Sequence, residues 1–373
     1  MDVLSEVLRV IRLTGAVHFC ANLTAPWSFI SSLPEMLAAR LVPGAESITP
    51  FHVGVHGNCL VSWGKHPPIP FGPGDVVIFA RGVQHVFASD PGLAPVPVKD
   101  VYKPSADQIA VVNYGGGGKE SRFICGYLHS DQLFSPLLDA MPAVVCVRVR
   151  NGTPVVETFT ETEVYAEPVT LKHDALWWQA SIDHLIVEAT RPGQGNRAVL
   201  ARLSELLFME VVRWQLSHVS KGHGGWLAGL NDPHVGGALT LLHANPERPW
   251  TVEDLAQQVA SSRAALAKRF VDLVGETPIQ YLAGWRMHLA RRLLREGTLS
   301  LAQIGSRVGY ESEAAFNRAF RRVVGTPPAT WRQSKAQDVQ LGRRRAAATS
   351  IHPRLGSKKH DLLRIVDESG QVR

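Results

Sequence analysis

The chain has 373 residues, 45% of them hydrophobic, enough for about two or three domains with buried cores. No run of eighteen apolar residues occurs, which excludes a long membrane-spanning helix. The net charge of +6 is unevenly spread: residues 1–239 carry 17 Lys/Arg against 21 Asp/Glu, residues 240–335 carry 14 against 8, and residues 336–373 carry 8 against 4. A basic third on an acidic body predicts a polyanionic partner for that third.

The N-terminal "MDVLSEVLRVIRLTGAVHFC" is amphipathic, lacks a signal-peptide core and reads as a helix leading into a strand. Residues 15–165 are rich in Val, Ile, Phe and Thr and punctuated by Gly and Pro. Segments such as "FHVGVHGNCLVSWG", "GDVVIFARG" and "AVVCVRVRNG" read as short strands of a β-sandwich or barrel. The stretch "SDPGLAPVPVKDVYKPSADQ" reads as a long exposed loop. Gly115 to Gly118 make a turn rather than a phosphate loop, since no helix opening with Lys-Ser/Thr follows. Cys20, Cys59, Cys125 and Cys146 are widely spaced and include no CxxC, which predicts reduced, partly buried thiols in a cytoplasmic protein and no zinc site.

From about residue 172 the period changes to that of helices. Leu200, Leu203, Leu207, Val211 and Trp214 recur at spacings of three and four, a stripe that serves either as core or as a dimer seam. The Gly-rich stretch 219–234 marks a linker or hinge, with Trp226 and Leu230 as docking points at one end. Beyond it the pattern predicts helices over 234–243, 251–259, 262–274, 278–296, 300–308 and 312–324, with a last turn near 328–332. The tail 336–373 has no sustained period and is expected to be disordered.

The helical region contains an internal copy. Ser262, Ala265, Phe270, Val274, Gly275 and Pro278 recur 50 residues later as Ser312, Ala315, Phe320, Val324, Gly325 and Pro328. In the second copy, Ile304 anchors a short helix, Gly309 ends it, Tyr310 sits beside the turn and Ser312 caps the next helix. Phe316 and Phe320 line that helix's buried side. In the first copy, Leu255 and Val259 lie on the short helix, Ser262 is the cap, and Leu266 and Phe270 are buried. The first turn is one residue shorter, so the short helices match at an offset of 49. Two helices joined by a tight turn form a helix-turn-helix unit, whose second helix reads the DNA major groove.

The outward face of each second helix then supplies the base-reading candidates. They are Arg263, Ala264, Ala267 and Lys268 in the first unit, and Glu313, Ala314, Asn317 and Arg318 in the second. Arg318 suits guanine O6/N7 and Asn317 is its hydrogen-bonding neighbour, whereas the two alanines suit thymine methyls. Arg269, Arg321 and Arg322 are phosphate candidates. Tyr281, Trp285, Leu289 and Leu293 mark an amphipathic connecting helix of about sixteen residues, roughly 24 Å long. It holds the two reading helices relative to each other.

These residues carry a resemblance. "VGYESEAAFNRAFRRVVGTPPATWR" resembles the signature of the AraC/XylS-type bacterial transcription regulators, and "RPWTVEDLAQQVASSRAALAKRFVDLVGETPIQYLAGWRMHLARRLL" resembles their first unit and connecting helix. Ala264 departs from the bulkier side chain often found there, which bears on the first unit's specificity. "GDVVIFARGVQHVFAS" is similar to the second cupin motif, with Gly74, Gly82 and His85 matching, Ala80 in place of Pro and Ser89 in place of Asn. The first cupin motif lacks its HxH pair, and Pro50 stands where its Glu belongs.

The resemblance implies an N-terminal all-β cupin-like barrel with a helical connector, and a C-terminal all-α domain with two helix-turn-helix units. The expected division is 1–168 sensor, 169–230 connector and dimerisation segment, 231–335 DNA-binding domain and 336–373 tail. His52, His56, His85 and Trp63 are the effector-pocket candidates. His52 and His56 lie four apart on a strand, on one face, which leaves a metal site with His85 as an alternative. No catalytic residue, metal or cofactor is assigned. Expected partners are promoter or operator DNA, RNA polymerase, a small effector and a second copy of the chain, with no membrane. The aromatics Trp27, Phe29, Phe51, Trp63, Phe71 and Phe87 read first as barrel core and second as contacts for an apolar or aromatic effector. The leading function is an effector-controlled transcription regulator, activator or repressor. A metal-dependent cupin enzyme fused to a DNA anchor and a ligand-independent dimeric regulator are the alternatives.

Overall fold

The structure, a computed structural model, describes residues 2–334 apart from 12, 34–35, 39–41, 43–44, 46, 103–108, 131–135, 151–152, 160–163, 171–174, 191–192 and 219–224. The tail 336–373 and its expected disorder lie outside the described residues.

Among the described residues, a first helix, α1 (Val3–Ile11), leads into thirteen strands: β1 (Thr14–Thr24), β2 (Ser28–Ile30), β3 (Ser47–His56), β4 (Cys59–Trp63), β5 (Ile69–Phe71), β6 (Val76–Ile78), β7 (His85–Ala88), β8 (Val96–Pro97), β9 (Ala110–Gly115), β10 (Glu120–Ser130), β11 (Val144–Arg150), β12 (Thr153–Phe159) and β13 (Val164–Thr170). They form an eight-stranded sheet in the order β13-β12-β11-β6-β3-β10-β1-β9 and a five-stranded sheet in the order β5-β4-β7-β2-β8. The pairs β1–β9 and β2–β8 are parallel, and the other ladders are antiparallel.

Aromatic side chains fill the space between the sheets. Trp27, Phe29, Trp63, Phe71, Phe79, Phe87 and Phe123 belong to one buried cluster, held by alternating inward positions such as those of β4. The described part of the loop expected over 89–108 pairs through β8 and turns through α2 (Val98–Val101), and the buried Tyr102 stacks on Phe19 at 4.9 Å. A short helix, α3 (Pro136–Ala140), precedes β11.

Two longer helices, α4 (Ala175–Thr190) and α5 (Asn196–His218), cover the outer face of the larger sheet. The α5 stripe is core: Leu200, Leu207, Val211 and Trp214 are buried within the chain and Leu203 packs beside them, so this face is no dimer seam. Its approach to the sheet is close. A Cβ on Gly15 of β1 would lie 2.7 Å from the Ala201 carbonyl oxygen, which leaves glycine as the residue that fits.

The helical domain follows through α6 (Trp226–Asn231), α7 (Pro233–Ala244), α8 (Val252–Gln258), α9 (Arg263–Val274), α10 (Pro278–Glu296), α11 (Leu301–Arg307) and α12 (Glu313–Val324), and residues 328–334 are helical again. Within the stretch 219–234 expected as a linker or hinge, Trp226–Asn231 form a docked helix, and 219–224 lie outside the described residues. This helix touches α3 and α5 on one side and α7 and α9 on the other, and Trp226 Nε1 donates to Tyr281 Oη at 2.9 Å. The first helix also reaches this domain: Val3 and Val7 are buried, and α1 lies against α7 and α10. Among the described residues, no helix is long and apolar enough to cross a membrane.

Candidate nucleic-acid interface and sensor cavity

Local chemistry defines each helix-turn-helix unit. In the first, Thr251 and Asp254 form a capping box on α8, Ser262 accepts from the Ala265 amide at 3.2 Å to start α9, and Gly275 closes it at φ 88°. In the second, Ser300 and Gln303 box the start of α11, Ser312 accepts from the Ala315 amide at 3.2 Å to start α12, and Gly325 closes it at φ 85°. Leu255, Phe270, Ile304, Phe316 and Phe320 are fully buried, Tyr310 and Val259 pack beside them, and Pro328 follows the second stop. Each fully buried Phe contributes about 1.5–3 kcal/mol of burial to holding its unit together. The connecting helix α10 has 19 residues, so it spans about 28 Å.

This packing turns the predicted readers outward. Arg263, Ala264 and Lys268 are exposed on α9, and Glu313, Ala314 and Arg318 are exposed on α12. Ala267 and Asn317 are half-buried at matching positions beside them. Arg321 and Arg322 are exposed at the C-terminal end of α12, one turn beyond Arg318.

The two faces differ in charge balance. On the first, Arg263 Nε lies 2.7 Å from Glu253 Oε1 and Lys268 Nζ lies 2.6 Å from Asp272 Oδ2. Arg269 binds the buried carboxylate of Asp232 through Nε and Nη2. The other Asp232 oxygen accepts from the His234 and Val235 amides at 3.0 and 2.9 Å, capping α7. Burial opposes ionisation of Asp232, but the Val235 amide, the Arg269 guanidinium and the His234 amide together hold its carboxyl below the usual range. On the second face, no carboxylate among the described residues pairs with Arg318, Arg321 or Arg322. Asp232, Glu253 and Asp272 are ion-pair partners of the candidate DNA-contacting residues that sequence reasoning missed. Only the Lys268–Asp272 spacing of four was a readable signal.

In the β-domain, His52 and His85 meet. Their Nε2 atoms are 2.8 Å apart, His52 Nδ1 lies 3.0 Å from Cys125 Sγ, and His85 Nδ1 lies 2.9 Å from the Val83 carbonyl oxygen. That carbonyl only accepts, so His85 carries its proton on Nδ1 and its Nε2 is an acceptor. His52 Nε2–H therefore donates to His85, and the Cys125 thiol donates to His52 Nδ1. Burial, and then the neighbouring His85, hold the His52 imidazole well below its ordinary range, and burial pushes His85 down to about 4. Burial likewise raises the Cys125 thiol well above its usual value, so the chain of donors is neutral at pH 7.

Beside it lies a cavity of about 50 Å³, lined by the apolar Phe19, Phe29 and Leu37 and by the polar Ser31, His85 and Tyr127 among others. Two of the four predicted pocket residues do not belong to it. A β-bulge opposite Arg122–Phe123, where β3 advances two residues for one of β10, breaks the alternation between His52 and His56 and leaves His56 exposed at the strand end. Trp63 is buried one ring away, edge-on to Phe79, whose face stacks on His85 at 3.7 Å.

A shared metal does not fit this site. Two imidazoles on one tetrahedral ion at about 2.0–2.1 Å would hold their nitrogens roughly 3.3 Å apart, and here they share a proton instead. Among the described residues, no group of three or more His, Cys, Asp or Glu is gathered as metal donors.

Comparison with known proteins agrees with both halves. The family model described as Cupin matches residues 2–164, and the one described as Helix-turn-helix domain matches residues 255–334. The chain is 34% identical to an AraC-like transcription regulator of Streptomyces lividans, over 89% of this chain and 98% of that protein. It is 25% identical to the HTH-type transcriptional regulator AlkR of Acinetobacter baylyi, over 89% and 99%. It is also similar to the crystallised DNA-binding domain of AdpA in complex with a target DNA, at 33% identity over 28% of this chain and 92% of that one, with a TM-score of 0.26. Both of these relatives, matched over nearly their whole length, are transcription regulators by name, as the regulator reading expects and the metal-dependent cupin enzyme does not. With a cupin domain at its N-terminus and paired helix-turn-helix units at its C-terminus, the chain belongs to the AraC-type transcription regulators.

Proposed function

We propose that this regulator reads a promoter or operator with both units, and that the second unit holds most of the hydrogen-bonding specificity. The observation that carries this reading is the outward face of α12, where Asn317 and Arg318, which has no carboxylate partner among the described residues, stand side by side. Arg321 and Arg322 would neutralise flanking phosphates, and Arg263, Ala264, Ala267 and Lys268 would supply the weaker contacts of the first unit. The division into sensor, connector, DNA-binding domain and tail, the cytoplasmic setting, the second copy of the chain and contact with RNA polymerase are part of the same proposal.

We further propose that the β-domain takes a small effector beside His52 and His85. The relay from Cys125 to Val83 satisfies its own donors, and the cavity wall is mainly apolar, so the occupant is small and uncharged. The test is DNA protection by the full chain with and without candidate metabolites, combined with calorimetry on each. A metabolite that binds wild type, fails to bind His52→Ala and changes DNA protection supports the effector reading. Protection that no binding metabolite changes supports a ligand-independent regulator instead.

A further inference from the structure

Arg286 projects from the connecting helix α10 and makes its contacts elsewhere, on both units. Its Nε donates to the Pro246 carbonyl at 2.6 Å and its Nη2 to the Arg248 carbonyl at 2.8 Å, both in the segment that leads into the first unit. The guanidinium carbon also lies 5.6 Å from the centre of the Tyr310 ring, in the turn of the second unit. One planar side chain thus joins the entrance of one unit to the turn of the other. A guanidinium satisfies two carbonyls and a ring face at fixed angles, which an ammonium does not reproduce.

Gly309 completes the contact. It has φ +85°, and a Cβ there would lie 2.5 Å from the Glu247 carbonyl oxygen and 2.7 Å from Arg286 Nη2. The corresponding position of the first unit is Ala260, which adopts φ 51° with its Cβ. The left-handed backbone alone therefore does not demand glycine in this turn. The close approach of residues 246–248 does.

We propose that Arg286, Gly309 and Tyr310 form a clamp between the two units that sets their relative orientation, and with it the spacing between the two base clusters the protein accepts. Arg286 is a positioning residue on this account: it acts through the segment 246–248 and Tyr310. The inference rests on the paired-reader function proposed above.

The experiment selects binding sites from random-sequence DNA with full-length wild type, Arg286→Lys, Arg286→Ala and Tyr310→Leu. Each protein is then titrated on the wild-type site and on sites with one base pair inserted or removed between the clusters. Wild type is expected to select one dominant spacing and to lose about tenfold for a one-base-pair change, the scale of a single mismatch. In Arg286→Ala and Tyr310→Leu that penalty should fall to about twofold and the selected spacings should spread, with Arg286→Lys between. A structural role alone would lower affinity at every spacing alike. Folded variants that keep the wild-type spacing penalty, or that lose affinity equally at all spacings, overturn the clamp. If Arg286→Ala does not fold, Arg286→Lys and Tyr310→Leu decide by the same criterion. A wild type that selects a single base cluster overturns the paired reader itself, and the clamp with it.

Discussion

In the first helix-turn-helix unit, Arg263, Lys268 and Arg269 each face a carboxylate of the same chain, whereas in the second, Arg318, Arg321 and Arg322 face none among the described residues. The backbones are close copies, with the same serine caps and glycine stops at an offset of 50. The two units thus share a scaffold and differ in their electrostatics. The exposed pairs Arg263–Glu253 and Lys268–Asp272 are weak, about 0–1 kcal/mol each, so DNA phosphate can displace them. Arg269 is different, because its partner Asp232 is buried and also caps α7.

The largest contrast is expected at the turns. Gly309→Ala should destabilise the helical domain by about 2–5 kcal/mol, from left-handed strain plus overlap with Glu247. Ala260→Gly at the matching position should change stability by less than about 1 kcal/mol, since relief of strain offsets added chain entropy. Urea unfolding of both variants checks this, and equal effects would remove the close approach as the reason for glycine.

Acid should separate the units next. His243, in the core beside the first unit, is pushed down to about 3 by burial, as is His288 on the connecting helix, while residues 301–324 contain no histidine. An unfolded histidine titrates near 6.5, so below that pH the unfolded chain binds a proton that the folded chain does not. Stability from His243 is therefore full above about 6.5 and falls toward about 3, by at most about 1.4 kcal/mol per pH unit. On acidification from pH 7 to 5, hydrogen-exchange protection in 233–244 should drop before that in 313–324, and a simultaneous drop would contradict this difference.

The smallest effects are salt slopes of opposite sign. Asp232→Asn keeps an oxygen for the His234 and Val235 amides but releases Arg269. The slope of log K against log salt on random DNA should steepen by about 0.9, and Asp232→Asn with Arg269→Gln should return it to wild type. Arg322→Ala should flatten the slope by about 0.9 and weaken all DNA alike. An unchanged slope in Asp232→Asn would mean that Arg269 never reaches phosphate.

Much of this was legible in the sequence, for a physical reason. Caps, stops and buried stripes are local, and the helices predicted over 262–274, 278–296 and 312–324 appear within one residue of those limits. The repeat made the outward positions readable by comparison of one copy with the other. What stayed hidden depends on contacts distant in sequence. Arg269 and Asp232 are 37 residues apart, Arg286 and Pro246 are 40 apart, and neither pairing follows from periodicity. In the barrel, the cupin-like motif points to His85 and the strand pattern to His52, but the bulge that turns His56 away is a property of pairing with β10 and leaves no mark in β3 alone.

The most direct test of the paired but unequal reader compares Arg318→Ala with Lys268→Ala, each titrated on the selected site and on random DNA. Arg318→Ala is predicted to cost about 1–3 kcal/mol at the selected site, with preference lost at one base pair and little change on random DNA, while Lys268→Ala costs less. Equal losses of Arg318→Ala on both DNAs, or a larger site-specific loss in Lys268→Ala, would contradict the account.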